Sequence, residues 1–202
     1  MVTARRDRLP EDFLKGIIYC SDQAHHSVMK AANLAGFSAR NLRILPSDEN
    51  FRINPDLLER QIPEDLQAGL LPLLVVASAG TTNTGSIDPL PELGGVCREY
   101  RLWYHIAAAY GGAFVLTDRG RERMSGINLA DSVTLDPHKG MFLPYGTGSI
   151  LVKDRQALIE AHEMRGDYMP EIDRSRAHLD PCLLYTSPSP RDLSTARMPS
   201  SA

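Results

Sequence analysis

The stretch Leu73-Leu74-Val75-Val76-Ala77-Ser78-Ala79 constrains the fold more than any other in the chain. It is apolar at successive positions, so as a strand it shows apolar side chains on both faces, and only a sheet covered on both sides hides both. The run empties into Gly80-Thr81-Thr82-Asn83-Thr84-Gly85, a small polar loop. Further apolar runs at residues 16–20, 41–46, 102–108, 131–136 and 149–154 read as strands. Helical segments fall between them: one ends at Gly36, one opens on Asn54-Pro55, and others cover residues 91–100, 119–125 and 155–163. Ser21 or Asp22 is the expected cap of the first helix, and Pro63 is expected to restart the second rather than lie within it. Strands and helices alternating at this spacing predict an α/β fold, a mainly parallel sheet with helices on both faces.

In such a sheet the carboxyl ends of the strands line one site. Here they carry His25, Thr81, Thr82, His105, Tyr110, His138 and Lys139. The last two close the run Asp131-Ser132-Val133-Thr134-Leu135-Asp136-Pro137-His138-Lys139-Gly140, where an apolar strand stops on a lysine. A lysine at such an edge is suited to imine chemistry, because partial desolvation favours the free amine that attacks an aldehyde. A surface lysine capping a strand end is the plainer reading of these residues alone.

Charge and composition exclude other classes. The formal net charge is -3, which gives no basic excess for nucleic acid or an anionic membrane. The longest apolar runs are too short to span a bilayer, and the first residues lack the apolar segment of a secretory leader, so a cytoplasmic protein is expected. Cys20 and Cys97 have no metal-like spacing, and no metal site or disulfide framework is expected. Residues 3–8 read as the end of a basic helix, with Met1 an internal methionine.

Four motifs, Ser21-Asp22-Gln23-Ala24-His25-His26-Ser27-Val28, Ala79 through Gly85, Trp103-Tyr104-His105-Ile106-Ala107-Ala108-Ala109-Tyr110, and Asp136-Pro137-His138-Lys139, occur in this order. Together they resemble the group II pyridoxal-phosphate-dependent amino-acid decarboxylases, which include the aromatic-amino-acid and glutamate decarboxylases. The resemblance covers residues 1–181 and implies part of the large, cofactor-binding domain of a fold-type I pyridoxal-phosphate enzyme. It implies that Lys139 carries the cofactor as a Schiff base and that His25 stacks on the ring and assists proton transfer. It also implies that Thr82 bonds cofactor oxygens, that Ala109 lets the ring lie close, and that His138 helps hold the phosphate. Tyr110 and Tyr145 are read as packing residues at the pocket edge, and Asp22, Asp88 and Asp131 as caps and turn residues. The implied substrate is an L-amino acid whose side chain stays open among aromatic, acidic and basic, and the implied full-length state is a homodimer. Another reaction on the same cofactor fold, such as an aminotransferase or desulfurase, is the alternative. These 202 residues alone are expected to be inactive, since the family's remaining segments complete the site.

One position departs from the family pattern. Where the resemblance implies an aspartate that salt-bridges the pyridine nitrogen, this chain has Ala107. A deliberate substitution, a natural non-catalytic relative and a one-base sequencing error all account for it. Residues 182–202 resemble a translated sequencing-library adapter and are read as a non-native, disordered tail outside the fold; Ala196 stands there where the adapter translation has Ser.

Overall fold

The computed structural model describes residues 1, 3–5 and 12–162. Six strands occur among them: β1 (Gly16–Ser21), β2 (Leu42–Leu45), β3 (Leu71–Ser78), β4 (Trp103–Ala107), β5 (Ser132–Leu135) and β6 (Ser149–Val152). They form one sheet in the order β2-β1-β3-β4-β5-β6. All neighbours pair in parallel except β6, which runs antiparallel along β5. The helices are α1 (Ser27–Leu34), α2 (Pro55–Gln67), α3 (Leu90–Glu99), α4 (Asp118–Arg123), the single turn α5 (Pro137–Gly140) and α6 (Arg155–His162). This is the expected α/β architecture.

The double-faced apolarity of β3 is resolved by two separate cores. On one face Tyr19, Val75, Ala77 and Ile106 pack with Leu58 and Ile62 of α2 and Leu93 and Val96 of α3. On the other, Ile18, Cys20, Leu74 and Val76 pack with Val28 and Ala32 of α1. Each fully buried aliphatic side chain contributes about 1.5–3 kcal/mol, so both faces of the central strands stabilise the sheet.

Two local expectations need correction. Pro63 lies inside α2, which runs unbroken through it. The buried residues Leu58 and Ile62 precede the proline and Asp65 follows it, so packing on both sides outweighs the lost backbone hydrogen bond. The first helix begins at Ser27 with His26 at the cap position and no side-chain cap; Ser21 instead accepts a hydrogen bond from the Gln23 amide at 3.3 Å. The Asn54 cap holds, its side chain accepting from the Asp56 amide at 2.9 Å.

Asp65 anchors the β1–β2 edge. Its carboxylate accepts from the Tyr19 hydroxyl at 2.9 Å, and from Nε and Nη2 of Arg43 at 3.0 and 2.7 Å. Asp88 and Asp131 are backbone pins, as expected of turn residues. Asp88 accepts from the amides of Ile53 and Ser78, and Asp131 from that of Tyr104.

The other edge is bare among the described residues: Ile150 and Leu151, on opposite faces of β6, are 61% and 59% exposed. Residues 3–5 form a short 3₁₀ turn. The rest of the expected basic helix end, and the tail at 182–202, lie outside the described residues. Among the described residues no helix is long and apolar enough to cross a membrane.

Candidate active site

The site grows from the carboxyl ends of β4 and β5. β5 stops at Leu135, and Pro137 sets the first helical position of α5, with Asp136 as its extended N-cap residue. The Asp136 amide donates to the Ala109 carbonyl at 3.1 Å, and its carbonyl accepts from the Lys139 amide at 2.9 Å. One helical turn therefore folds Lys139 back over Asp136. The Lys139 Nζ lies 2.7 Å from Asp136 Oδ2, with side-chain exposures of 41% and 18%. The amine is thus held at the sheet edge by a half-sheltered carboxylate, yet stays partly open to solvent.

Two glycines permit this geometry. A Cβ on Gly140 would lie 2.7 Å from Ala113 Cβ and 2.9 Å from the Tyr110 carbonyl, so only glycine lets α5 sit against the turn after β4. A Cβ on Gly111 would lie 2.1 Å from the Ala79 carbonyl oxygen, which locks that turn onto the end of β3.

His25 approaches Lys139 from the loop after β1. Its pKa is lowered, first by burial, then by the positive charges of His26 and Lys139, while Asp136 acts in the opposite direction. Those interactions bring His25, Lys139 and Asp136 into one electrostatic cluster. The His25 ring stacks at a tilt on His26, with centroids 4.0 Å apart, and its Nδ1 lies 2.8 Å from the Ser27 hydroxyl. His138 donates through Nδ1 to the Thr147 carbonyl and meets the Tyr145 ring edge-on at 4.8 Å.

The remaining positions differ in placement. Ala109 is half-buried between the ends of β4 and β5. Thr82 is exposed in the loop after β3, and no hydrogen bond joins it to Lys139 among the described residues. Its neighbour Thr81 is the buried one, paired with the Thr84 hydroxyl at 2.7 Å. Tyr110 and Tyr145 are 52% and 92% exposed. Cys20 is no nucleophile, because burial pushes its thiol up to about 11.

Behind this edge lies a polar seam. His105 Nδ1 is 2.8 Å from the Ser132 hydroxyl and Nε2 is 3.1 Å from that of Thr134. The Trp103 indole donates to Ser132 at 2.9 Å. Burial pushes His105 down to about 4, so at neutral pH it is an uncharged spacer between β4 and β5. Ala107 follows two residues later on the same face, in register with Ser78 and Thr134.

The model of the pyridoxal-dependent decarboxylase conserved domain matches residues 7–180. The chain belongs to this family. It is 37% identical over 173 residues to an aromatic-L-amino-acid decarboxylase of Bacillus atrophaeus, covering 86% of this chain and 36% of that protein. It is 39% identical over 149 residues to tyrosine decarboxylase 4 of Petroselinum crispum, covering 73% and 29%. Among solved structures, mouse CSAD superposes with a TM-score of 0.80 at 32% identity, covering 87% of this chain and 38% of that one. Catharanthus roseus tryptophan decarboxylase in complex with L-tryptophan superposes with a TM-score of 0.77 at 31% identity, covering 82% and 37%. The chain thus spans about a third of the length of the relatives it matches.

Asp136 was not singled out at the level of sequence, although a carboxylate three residues before Lys139 is a one-turn ion-pair spacing. Ser78 was missed too, since a serine in an apolar strand carries no signal of its own.

Proposed function

We propose that this chain is the cofactor-binding portion of a longer pyridoxal-phosphate-dependent decarboxylase acting on an L-amino acid. The observation that carries the reading is the Lys139 amine, held 2.7 Å from Asp136 at the end of β5 with His25 in its electrostatic neighbourhood. An amine positioned by a carboxylate at a strand end, beside a histidine and a small Ala109, fits an aldehyde cofactor with a flat ring. When bound, pyridoxal phosphate supplies the sink for the electrons released as carbon dioxide departs.

The chain's own residues then divide the work. Lys139 would hold the cofactor through its Nζ, the amine placed to meet an aldehyde. Asp136, 2.7 Å away, would orient that amine and accept its proton. His25, whose pKa is lowered first by burial, would stack on the ring and handle a proton at the reacting carbon. Ala109 would leave room for the ring, Thr82 would bond cofactor oxygens from the β3 loop, and His138 would support the phosphate side. Residues 1–181 make up this portion and 182–202 are a non-native tail. The full-length protein is a homodimer, a reading supported by apolar surface at Phe142 (89% exposed), Ile150 and Leu151.

A second reading, a chain that holds the cofactor without decarboxylating, is favoured by Ala107. Without a carboxylate there, the ring nitrogen loses the charge that keeps it protonated, at a cost of roughly 100- to 1000-fold in rate. Borohydride reduction of the full-length protein with pyridoxal phosphate, followed by peptide mapping, tests the assignment. A reduced adduct on Lys139 is expected, and an adduct confined to another lysine refutes it. Carbon dioxide release measured alongside separates decarboxylation from mere binding and from keto-acid formation by an aminotransferase.

A further inference from the structure

β3, β4 and β5 carry Ser78, Ala107 and Thr134 side by side in parallel register, and residues so paired point to one face. That face is the one Val76 and Leu74 share with Ala107. The two hydroxyls flanking Ala107 are in different states. Thr134 Oγ1 is engaged by His105 Nε2 at 3.1 Å. The Ser78 hydroxyl has no hydrogen-bond partner among the described residues, although Ser78 is only 5% exposed. The backbone of Ser78 is fully committed: its amide donates to Asp88 Oδ2 at 2.6 Å and its carbonyl accepts from the Asp88 amide at 2.9 Å. Asp88 thus fixes the residue while leaving the side chain unused. A buried hydroxyl without a partner is unfavourable, so a ligand or an ordered water that completes its bonding is stabilised there.

Resting on the cofactor reading above, we propose that the Ser78 hydroxyl is the partner of the pyridine nitrogen in this chain, a neutral donor where the family uses an acid. A hydroxyl donates its hydrogen but does not give up the proton, so the ring nitrogen accepts a hydrogen bond and stays uncharged. Ala107 makes room for this contact. The chain therefore holds and orients the cofactor at the nitrogen while weakening its electron sink, which separates capture of the cofactor from the rate of decarboxylation.

The test compares binding of pyridoxal phosphate with that of its deaza analogue, in which a C–H replaces the ring nitrogen, using the full-length protein and equilibrium dialysis. One neutral hydrogen bond predicts roughly a 3- to 10-fold preference for pyridoxal phosphate. In Ser78→Ala the preference falls to nothing, and in Ser78→Thr it is kept. Because Ser78→Ala removes an unpaired group, its urea midpoint stays equal to or above that of the parent. An equal preference in parent and Ser78→Ala overturns the proposal, as does a marked loss of stability in Ser78→Ala, which would reveal a structural partner for the hydroxyl. A borohydride adduct on Lys139 with both cofactors and no discrimination overturns this inference alone. No adduct with either cofactor overturns the cofactor reading and this inference together.

Discussion

At the β1–β2 edge, the buried carboxylate of Asp65 meets Tyr19 through one oxygen and both Nε and Nη2 of Arg43 through the other. Toward the middle of the same sheet, the Ser78 hydroxyl is equally buried and bonded to nothing described, beside an alanine in place of an acid. The first place is closed by the chain itself, so its polarity serves stability and β-strand registry. The second has no partner among the described residues and lies at the carboxyl end of parallel strands, the side on which open α/β sheets place their ligands. The difference lies in whether the chain itself satisfies the polar group and not in residue type, since both places use ordinary side chains.

Substitutions can break or sharpen that contrast. The largest effect is expected at Lys139: Lys139→Ala should abolish the borohydride adduct with pyridoxal phosphate altogether, while its half-exposed side chain leaves the unfolding free energy in urea within about 0.5 kcal/mol of the parent. A persistent adduct at the parent level would move the attachment point elsewhere. Next comes Ala107→Asp, which should raise carbon dioxide release by roughly 100- to 1000-fold in the full-length protein, by restoring a charge at the ring nitrogen. An unchanged rate would show that position 107 does not face the ring. On the structural side, Asp65→Ala should cost about 3 kcal/mol in urea unfolding, because it strands the Tyr19 hydroxyl and the Arg43 charge. Lys139 should remain reactive in whatever fraction stays folded. A large loss of adduct at equal folded fraction would erase the distinction between the two places.

The smallest effect concerns the His105 seam. Its folded pKa is pushed down to about 4 from 6.5, so the unfolded chain takes up a proton first as pH falls. Stability contributed by the neutral ring is complete above about pH 6.5 and declines toward pH 4, by on the order of 3 kcal/mol at most. His105→Gln should flatten that slope in urea midpoints measured between about pH 7 and pH 4.5. An unaltered slope would assign the acid sensitivity to another group.

Much of the fold was legible because its signals are local. The apolar run of β3, the Asn54-Pro55 helix start and the stop at Gly36 all appear where side-chain period and turn chemistry place them. Pro63 was misread for the opposite reason: the residues that hold α2 together around it are supplied by the sheet beneath, and no window of sequence contains them. The helix cap expected at Ser21 or Asp22 failed similarly, since the strand β1 extends through Ser21 and delays the helix to Ser27.

The site divides along the same line. Sequence alone determined the α/β class, the lysine behind Asp136-Pro137-His138, the histidine motif after β1 and the anomaly at Ala107, because each is a matter of residue type and order. Only the tertiary structure decided that Asp136 grips the Lys139 amine, that Thr81 rather than Thr82 is buried, and that Ser78 and Thr134 flank Ala107 with one hydroxyl engaged and the other unused. Those facts arise from the register of strands far apart in the chain, and register is settled by how both faces of the sheet pack at once.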